Sequence, residues 1–167
     1  QTWSTPAPFN ADYRSIANPP ADATVDQKYN PLLWVGGGYD PCEDYDEQVA
    51  DPSVTSGGAN HACDPSQSSL KGDKVYLIDA LSGALIQSFD TERSVIGDIF
   101  VIPDPSNAEI AAFAYAVDLG GNIYRLSGQD ASGNPSKFGN SLPSTWIITK
   151  IADLGCDTVS NCIANRK

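Results

Sequence analysis

The chain has 167 residues, a length sufficient for one domain with a hydrophobic core. Its 21 acidic and 10 basic residues give a net charge of −11, which argues against nucleic acid and anionic membranes as partners, because both attract basic surfaces. No apolar run approaches the roughly 18 residues of a membrane span, so we expect no membrane insertion. The sequence contains no methionine, and we expect it to be an internal piece of a longer precursor.

Short apolar segments bounded by turn residues recur along the chain, and no long segment keeps a helical period. They predict an all-β fold with eight strands: Thr2–Pro8, Leu32–Gly37, Lys74–Asp79, Ala84–Phe89, Asp98–Ile102, Ile110–Val117, Asn122–Ser127 and Ser144–Ile151. Gly83 in one hairpin and the Gly120-Gly121 pair in another can adopt the positive φ angles that tight turns require.

Three consecutive glycines, Gly36, Gly37 and Gly38, end the second predicted strand. A phosphate-binding loop would need the G-x-x-x-x-G-K-[ST] spacing and a following helix, and the sequence has neither. Glycine permits close backbone approach and unusual φ and ψ angles. We therefore expect these residues to be structural strand glycines, placed where neighbouring sheets crowd the backbone.

An acidic segment follows the glycines and contains Asp40, Glu43, Asp44 and Asp46. Calcium prefers about six to eight oxygen ligands, several of them from carboxylates. The segment is therefore a candidate calcium loop, and calcium is the one cofactor that we consider. The alternative is a solvated acidic loop on an acidic protein.

Four cysteines, Cys42, Cys63, Cys156 and Cys162, allow three disulfide pairings. We favour Cys42–Cys63 and Cys156–Cys162, because each bridge would close a short polar segment. The alternatives are free thiols in a reducing compartment and a zinc site, for which no C-x-x-C accompanies His61 and Cys63. The same histidine is the only one, and its Gly/Ser/Asn-rich surroundings argue against a Ser-His-Asp hydrolase.

An internal repeat divides the chain into two halves of four strands each. The first half contains TWSTPAP, LLWVGGG, KVYLID and ALIQSF, and the second contains GDIFVIP, FAYAVD, NIYRLS and STWIITKI. A rival alignment places Tyr76-x-x-Asp79 on Tyr115-x-x-Asp118, but it matches one motif instead of four strands.

A four-stranded unit of this kind cannot bury both of its faces alone, and radial stacking of such units solves the problem in β-propellers. We expect a partial β-propeller of two four-stranded antiparallel propeller-type blades with long disulfide-pinned loops. One single β domain would cover residues 1–167, with blade one at about residues 1–90, blade two at about 91–155 and a tail at 156–167. The two sheets would pack on further blades or on each other as a sandwich.

Several motifs in one order resemble the C-terminal propeller of PilY/PilC-type type IV pilus tip adhesins. They are W-S-x-P at Trp3–Pro6, G-G-G-Y-D at Gly36–Asp40, I-D-A-x-S/T-G at Ile78–Gly83, F-D-T-E/D-R-S at Phe89–Ser94, A-Y-A-x-D-x-x-G-N-x-Y-R at Ala114–Arg125 and I-A-D-L-G-C at Ile151–Cys156. Propellers of this family often carry an EF-hand-like run. The matching segment here, Ile102–Ile110, lacks its glycine and most of its acids, so we do not transfer a calcium site to it.

The resemblance implies a non-catalytic module on an extracellular bacterial surface or pilus. It would support pilus biogenesis and attach to host cells or abiotic surfaces, with partners among the remaining blades and the pilus tip or minor pilin subunits. We expect contact surface on the inserts Ala11–Asn30, Pro41–Gly72 and Gln129–Pro143, because loops on a rigid scaffold usually carry recognition. The alternatives are a repeating filament subunit assembled by strand addition and part of a quinone-dependent dehydrogenase propeller, whose vicinal cysteine pair is absent here.

Overall fold

The structure, a computed structural model, describes residues 4–12, 30–39 and 72–154. The strands in these ranges are β1 (Ala7–Ala11), β2 (Asn30–Gly36), β3 (Lys74–Asp79), β4 (Leu85–Asp90), β5 (Phe100–Asp104), β6 (Asn107–Val117), β7 (Asn122–Gln129), β8 (Pro135–Ser136) and β9 (Ile147–Asp153). Two short 3-10 turns, Phe138–Asn140 and Pro143–Thr145, are the helical segments of this part of the chain. The all-β prediction is confirmed, and each of the eight predicted strands overlaps an observed one.

The first sheet is an antiparallel meander in the order β1-β2-β3-β4. Its strands show the period of two that is expected when one face is covered. Along β2, Leu32 and Trp34 are fully buried, whereas the alternating Leu33 and Val35 are partly exposed. The first strand begins at Ala7, five residues later than its predicted start at Thr2.

The second sheet repeats this connectivity with β5, β6, β7 and β9. The extra strand β8 pairs only with Gly128 and Gln129 at the end of β7. The strand order of the two sheets thus agrees with the repeat alignment that matches all four strands of the first half with the four strands of the second half. The rival alignment would place Tyr76 on the third strand of one sheet over Tyr115 on the second strand of the other.

Cross-strand pairs define equivalent positions in the two sheets. The alignment of KVYLID on NIYRLS sets Val75 on Ile123. In the preceding strands, Gly36 pairs with Val75 and Val117 pairs with Ile123, so Gly36 and Val117 are equivalent. Trp34 and Tyr115 each lie two residues earlier and are therefore also equivalent.

Residues directly opposite each other in an antiparallel pair share a face, so each sheet has a face A and a face B. Face A comprises Phe9, Leu32, Trp34, Val75, Leu77 and Phe89 in sheet 1, and Phe100, Ile102, Phe113, Tyr115, Val117, Ile123 and Arg125 in sheet 2. Face B comprises Leu33, Val35, Tyr76, Ile78, Leu85 and Ser88 in sheet 1, and Val101, Ala114, Ala116, Tyr124, Leu126 and Ile148 in sheet 2.

The hydrophobic core lies where face A of sheet 1 packs against face B of sheet 2. The six face-A residues named above for sheet 1 belong to one buried cluster with Ala114, Ala116 and Leu126, and Val101 and Ile148 pack against it. Large side chains from one sheet therefore meet small ones from the other, which lets the two layers approach closely. The two faces in contact are of opposite type.

The insert between β7 and β9 folds back over the edge of this core. Phe138 and Trp146 are buried, with ring centroids 4.3 Å apart, and both contact the stacked pair of Phe9 and Trp34. Phe138 therefore belongs to the core, where its aromatic ring closes the open end of the two sheets, and contact surface on the rest of Gln129–Pro143 stays a prediction.

An ion pair joins the same insert to the β5–β6 hairpin. The Lys137 Nζ atom lies 2.9 Å from the Oδ2 atom of Asp104, whose side chain is only 9% exposed. The backbone N–H of Ser106 donates to Asp104 Oδ1 at 2.7 Å. The hydrogen bond from Lys137, followed by that from Ser106, holds the pKa of Asp104 below its ordinary value.

Candidate functional site

Most residues singled out from the sequence lie outside the described ranges. This applies to the four cysteines, Cys42, Cys63, Cys156 and Cys162, to the acidic residues Asp40, Glu43, Asp44 and Asp46, and to His61. The disulfides and the calcium loop therefore remain predictions. Within residues 4–12, 30–39 and 72–154, no three His, Cys, Asp or Glu side chains lie close enough together to hold a metal ion.

The three glycines lie at the tightest backbone contact between β2 and the rest of the molecule. A Cβ atom on Gly36 would lie 2.6 Å from the carbonyl oxygen of Val95, and one on Gly37 would lie 2.4 Å from that of Gly72. Gly38 has a φ angle of 93°, in the left-handed region that favours glycine. The crowding comes from the backbone at residue 72 and from residues 91–99, the connector between the two sheets.

The connector is hydrogen-bonded to sheet 1 through the backbone. Val95 accepts a hydrogen bond from the N–H of Gly38 at 3.0 Å and donates its own N–H to the carbonyl of Gly72 at 2.9 Å. Close to these bonds, the hydroxyl of Ser4 accepts from Gly36 N–H at 3.1 Å. The next residue, Thr5, donates its N–H to the Asp98 carboxylate at the other end of the connector.

The connector is also hydrogen-bonded to the β6–β7 turn of sheet 2. The backbone N–H of Arg93 donates to Asp118 Oδ2 at 3.1 Å, and that of Glu92 donates to the Tyr124 hydroxyl at 2.9 Å. The carbonyl of Ser94 accepts from Leu119 N–H at 2.9 Å. One nine-residue segment therefore bonds both sheets at once.

Asp118 is the centre of this arrangement. Its carboxylate is buried and also accepts three hydrogen bonds from its own hairpin: from Asn122 N at 3.0 Å, from Asn122 Nδ2 at 3.0 Å and from the Tyr124 hydroxyl at 2.8 Å. Burial raises the pKa of Tyr124 well above its ordinary value, and the hydrogen bond to Asp118 acts in the same direction. The phenol therefore stays protonated and remains a donor to the carboxylate.

An exposed ion-pair network surrounds this buried group. Lys150 on β9 lies 2.8 Å from Glu92 and 3.2 Å from Asp153, and Asn122 Nδ2 donates to Glu92 at 3.3 Å. The hydrogen bond with Glu92 raises the pKa of Lys150. Because these side chains are solvated, we assign the positioning of the turn to Asp118 and not to them.

A second turn of the same design lies twelve residues further along the chain. Asp130 accepts hydrogen bonds from Ser132 N at 2.8 Å, Asn134 N at 2.9 Å and Asn134 Nδ2 at 3.2 Å. Gly133 has a φ angle of 82°, as Gly121 has one of 81°. Both turns therefore have the pattern D-x-x-G-N, and they differ in that the Asp118 side chain is buried between the sheets.

Four of the six motifs on which the resemblance rests meet around the connector. Ser4 of the W-S-x-P motif contacts Gly36 of G-G-G-Y-D, and the glycines contact Val95 immediately after Phe89–Ser94. The Phe89–Ser94 motif in turn supplies the N–H groups that bond Asp118 and Tyr124 of the long Ala114–Arg125 motif. Four segments that are distant in sequence form one joint, which we call the junction.

The motifs are recognisable in the sequence, but their contacts are not. The repeated D-x-x-G-N spacing was a signal for the two aspartate turns. Nothing in the local pattern distinguishes the buried Asp118 from the exposed Asp130, because that difference depends on the connector packing over the first turn. The roles of Glu92 and Lys150 also depend on contacts between distant strands.

A shallow cleft opens between β1 and the β5–β6 hairpin, with a volume of about 330 Å³. Phe9, Val101 and Ile110 form part of its lining, together with the proline rings of Pro8 and Pro103. Across the cleft the Asn10 amide donates to the carbonyl of Glu109 at 3.3 Å. This bond joins β1, the edge strand of sheet 1, to β6 of sheet 2.

Comparison with known proteins gives no family assignment. No protein-family model matches the sequence, and neither a curated protein nor a solved structure matches it significantly.

Proposed function

We propose that the chain is a non-catalytic cell-surface module of a type IV pilus tip-associated adhesin, with its two sheets serving as propeller-type blades. The observation that carries the proposal is the junction. Four motifs that are scattered through the sequence bond one another in space, which supports treating them as parts of one folded unit. Face A of sheet 1 packs on face B of the equivalent sheet 2, which we call A-on-B packing. This packing supports the blade assignment, because radial repetition of blades needs faces of opposite type in contact.

The junction gives such a module a rigid base for its loops. The long segments at residues 13–29 and 40–71 both start and end next to strands β1, β2 and β3. Recognition loops work when their ends are fixed by a scaffold, and the glycine contacts fix the backbone at the end of β2. We therefore place the adhesive surface on these two inserts. The insert after β7 is a weaker candidate, since Phe138 belongs to the core.

The proposal is tested by immunogold electron microscopy of cells that produce the protein, with an antibody raised against this chain. We expect label at pilus ends and sparse label on the cell surface. Cells from which the coding sequence has been deleted provide the matched control and must lose the label. Label along whole filaments, or label confined to the cell interior, would overturn the proposal.

A further inference from the structure

Face A of sheet 2 is an open copy of the surface that sheet 1 buries. Tyr115 occupies the position of Trp34, and Val117 and Phe100 lie on the same face. Trp34 is 0% exposed, whereas Phe100 is 69% and Val117 49% exposed. Most apolar side chains on a sheet face are covered, and a contiguous exposed group of them marks an interaction surface.

Arg125 marks the centre of this open face. It is equivalent to the fully buried Leu77, and its guanidinium lies 5.7 Å from the ring centroid of Phe113. Its Nε atom is buried and has no hydrogen-bond acceptor in the described part of the chain. The guanidinium lies against an aromatic ring in the middle of this face.

Face B of sheet 1 is the complementary open surface. Leu33, Val35, Tyr76 and Ile78 are partly exposed, and Leu85 at the start of β4 is 60% exposed. The same type of face on sheet 2 packs against Trp34 and its neighbours inside the molecule. Residues 4–12, 30–39 and 72–154 therefore form one covered A–B contact and leave one face A and one face B open.

We propose that face A of sheet 2 binds face B of sheet 1 in a second copy of this chain. The contact would repeat the A-on-B packing that already joins the two sheets within one molecule. A contact between two different faces is head-to-tail, so it produces either a closed ring or an open filament. The inference depends on the packing of the two sheets and is independent of the location proposed above.

The test is sedimentation velocity of the whole chain from about 1 μM to about 200 μM. Because each copy has a net charge of −11, the salt concentration is about 0.5 M, at which repulsion between copies is screened. We expect the mean sedimentation coefficient to rise with concentration. A chain that stays monomeric throughout this range would overturn the proposal.

Two double variants locate the contact. Phe100→Asp with Val117→Asp blocks face A, and Leu85→Asp with Ser88→Asp blocks face B. Each should weaken self-association at least about tenfold. An equimolar mixture of the two should form a heterodimer and nothing larger, because each variant keeps one intact face.

The control variant adds the same charge outside both faces, through Leu81→Asp with Leu154→Asp, two side chains that are 67% and 74% exposed. It should associate like the unmodified chain, and circular dichroism should show all three variants to be folded. Association that survives both face variants would proceed through the sheet edges and would overturn the proposal. The proposal would also fail if the control variant weakened self-association as much as the face variants do.

Discussion

The hydroxyl of Tyr124 donates a 2.8 Å hydrogen bond to the Oδ2 atom of Asp118 and accepts one of 2.9 Å from the backbone N–H of Glu92. One phenol group thus bridges the β6–β7 turn and the connector. The bond between Tyr124 and Asp118 is buried, where a hydrogen bond to a charged group contributes more than it does in water.

Replacing Tyr124 with phenylalanine should reduce the free energy of unfolding by about 1–3 kcal/mol, because the Glu92 N–H loses its acceptor and Asp118 loses a donor. Urea denaturation measures this change. Tyr76→Phe is the matched control and should have a much smaller effect, because Tyr76 is partly exposed on face B. Equal losses in the two variants would contradict the bridging role of Tyr124.

Gly37→Ala should lower stability by about 1–3 kcal/mol, because the new methyl group would collide with the Gly72 carbonyl and the backbone would have to shift. Gly97 provides the control, since a Cβ atom there would meet nothing within 4 Å. Gly97→Ala should change stability by less than about 0.5 kcal/mol. Thermal unfolding of both variants distinguishes close approach from a general glycine effect, and similar losses would argue against close approach.

The two D-x-x-G-N turns allow a comparison between a buried and an exposed aspartate. Asp118→Asn should reduce the free energy of unfolding by about 2–3 kcal/mol. The carboxylate now accepts hydrogen bonds from N–H and O–H groups, and the NH₂ group of the new amide would meet these donors without being able to accept from them. Asp130→Asn should cost far less, since water can replace the lost acceptor. Urea midpoints measure both. A loss of stability in Asp130→Asn as large as that in Asp118→Asn would show that the contacts with the connector do not stabilise the Asp118 turn.

Stability should fall in acid partly through Asp104. Its pKa is lowered in the folded state, so its contribution is present above the ordinary aspartate pKa and disappears as the pH falls through the lowered value. The unmodified chain should therefore be more stable than Asp104→Asn at pH about 7, and the difference should shrink at pH about 2.5. Urea unfolding at both pH values measures the difference. A difference that stays constant would exclude this contribution.

Phe138→Ala should reduce the unfolding free energy by about 3–5 kcal/mol, because the fully buried ring leaves a cavity beside Phe9, Trp34 and Trp146. Phe100→Ala removes the same atoms from an exposed site and should change stability by less than about 1 kcal/mol. Both are measured by chemical denaturation at low protein concentration. A small loss at Phe138 would mean that the insert after β7 does not close the core.

The strand pattern could be predicted because apolar alternation and turn residues are local signals. Lys74–Asp79 was predicted with its observed bounds, and the turn glycines Gly83 and Gly121 have the expected positive φ angles. The ends of the repeat were harder to predict. Thr2–Pro8 resembles a strand in sequence, but Ser4 and Thr5 lie before β1 and bond Gly36 and the connector instead.

The junction and the core insert could not be predicted, since both depend on contacts between distant segments. Phe138 lies in a segment rich in Gly, Ser and Asn, and only its position over Trp146 makes it part of the core. Asp118 and Asp130 have the same local motif and very different burial. The direction in which the connector crosses the sheets decides which of them becomes buried.

The connector has a consequence for how the molecule opens. Its amide at Val95 is bonded to Gly72, just before β3 of sheet 1, and its carbonyl at Ser94 is bonded to Leu119, in the β6–β7 turn of sheet 2. The two sheets cannot separate without breaking the bonds on at least one side of this segment and opening the core that they share. The amide hydrogens of Val95 and Leu119 should therefore both exchange slowly with solvent and with similar opening free energies, because the shared core makes unfolding of the two sheets cooperative.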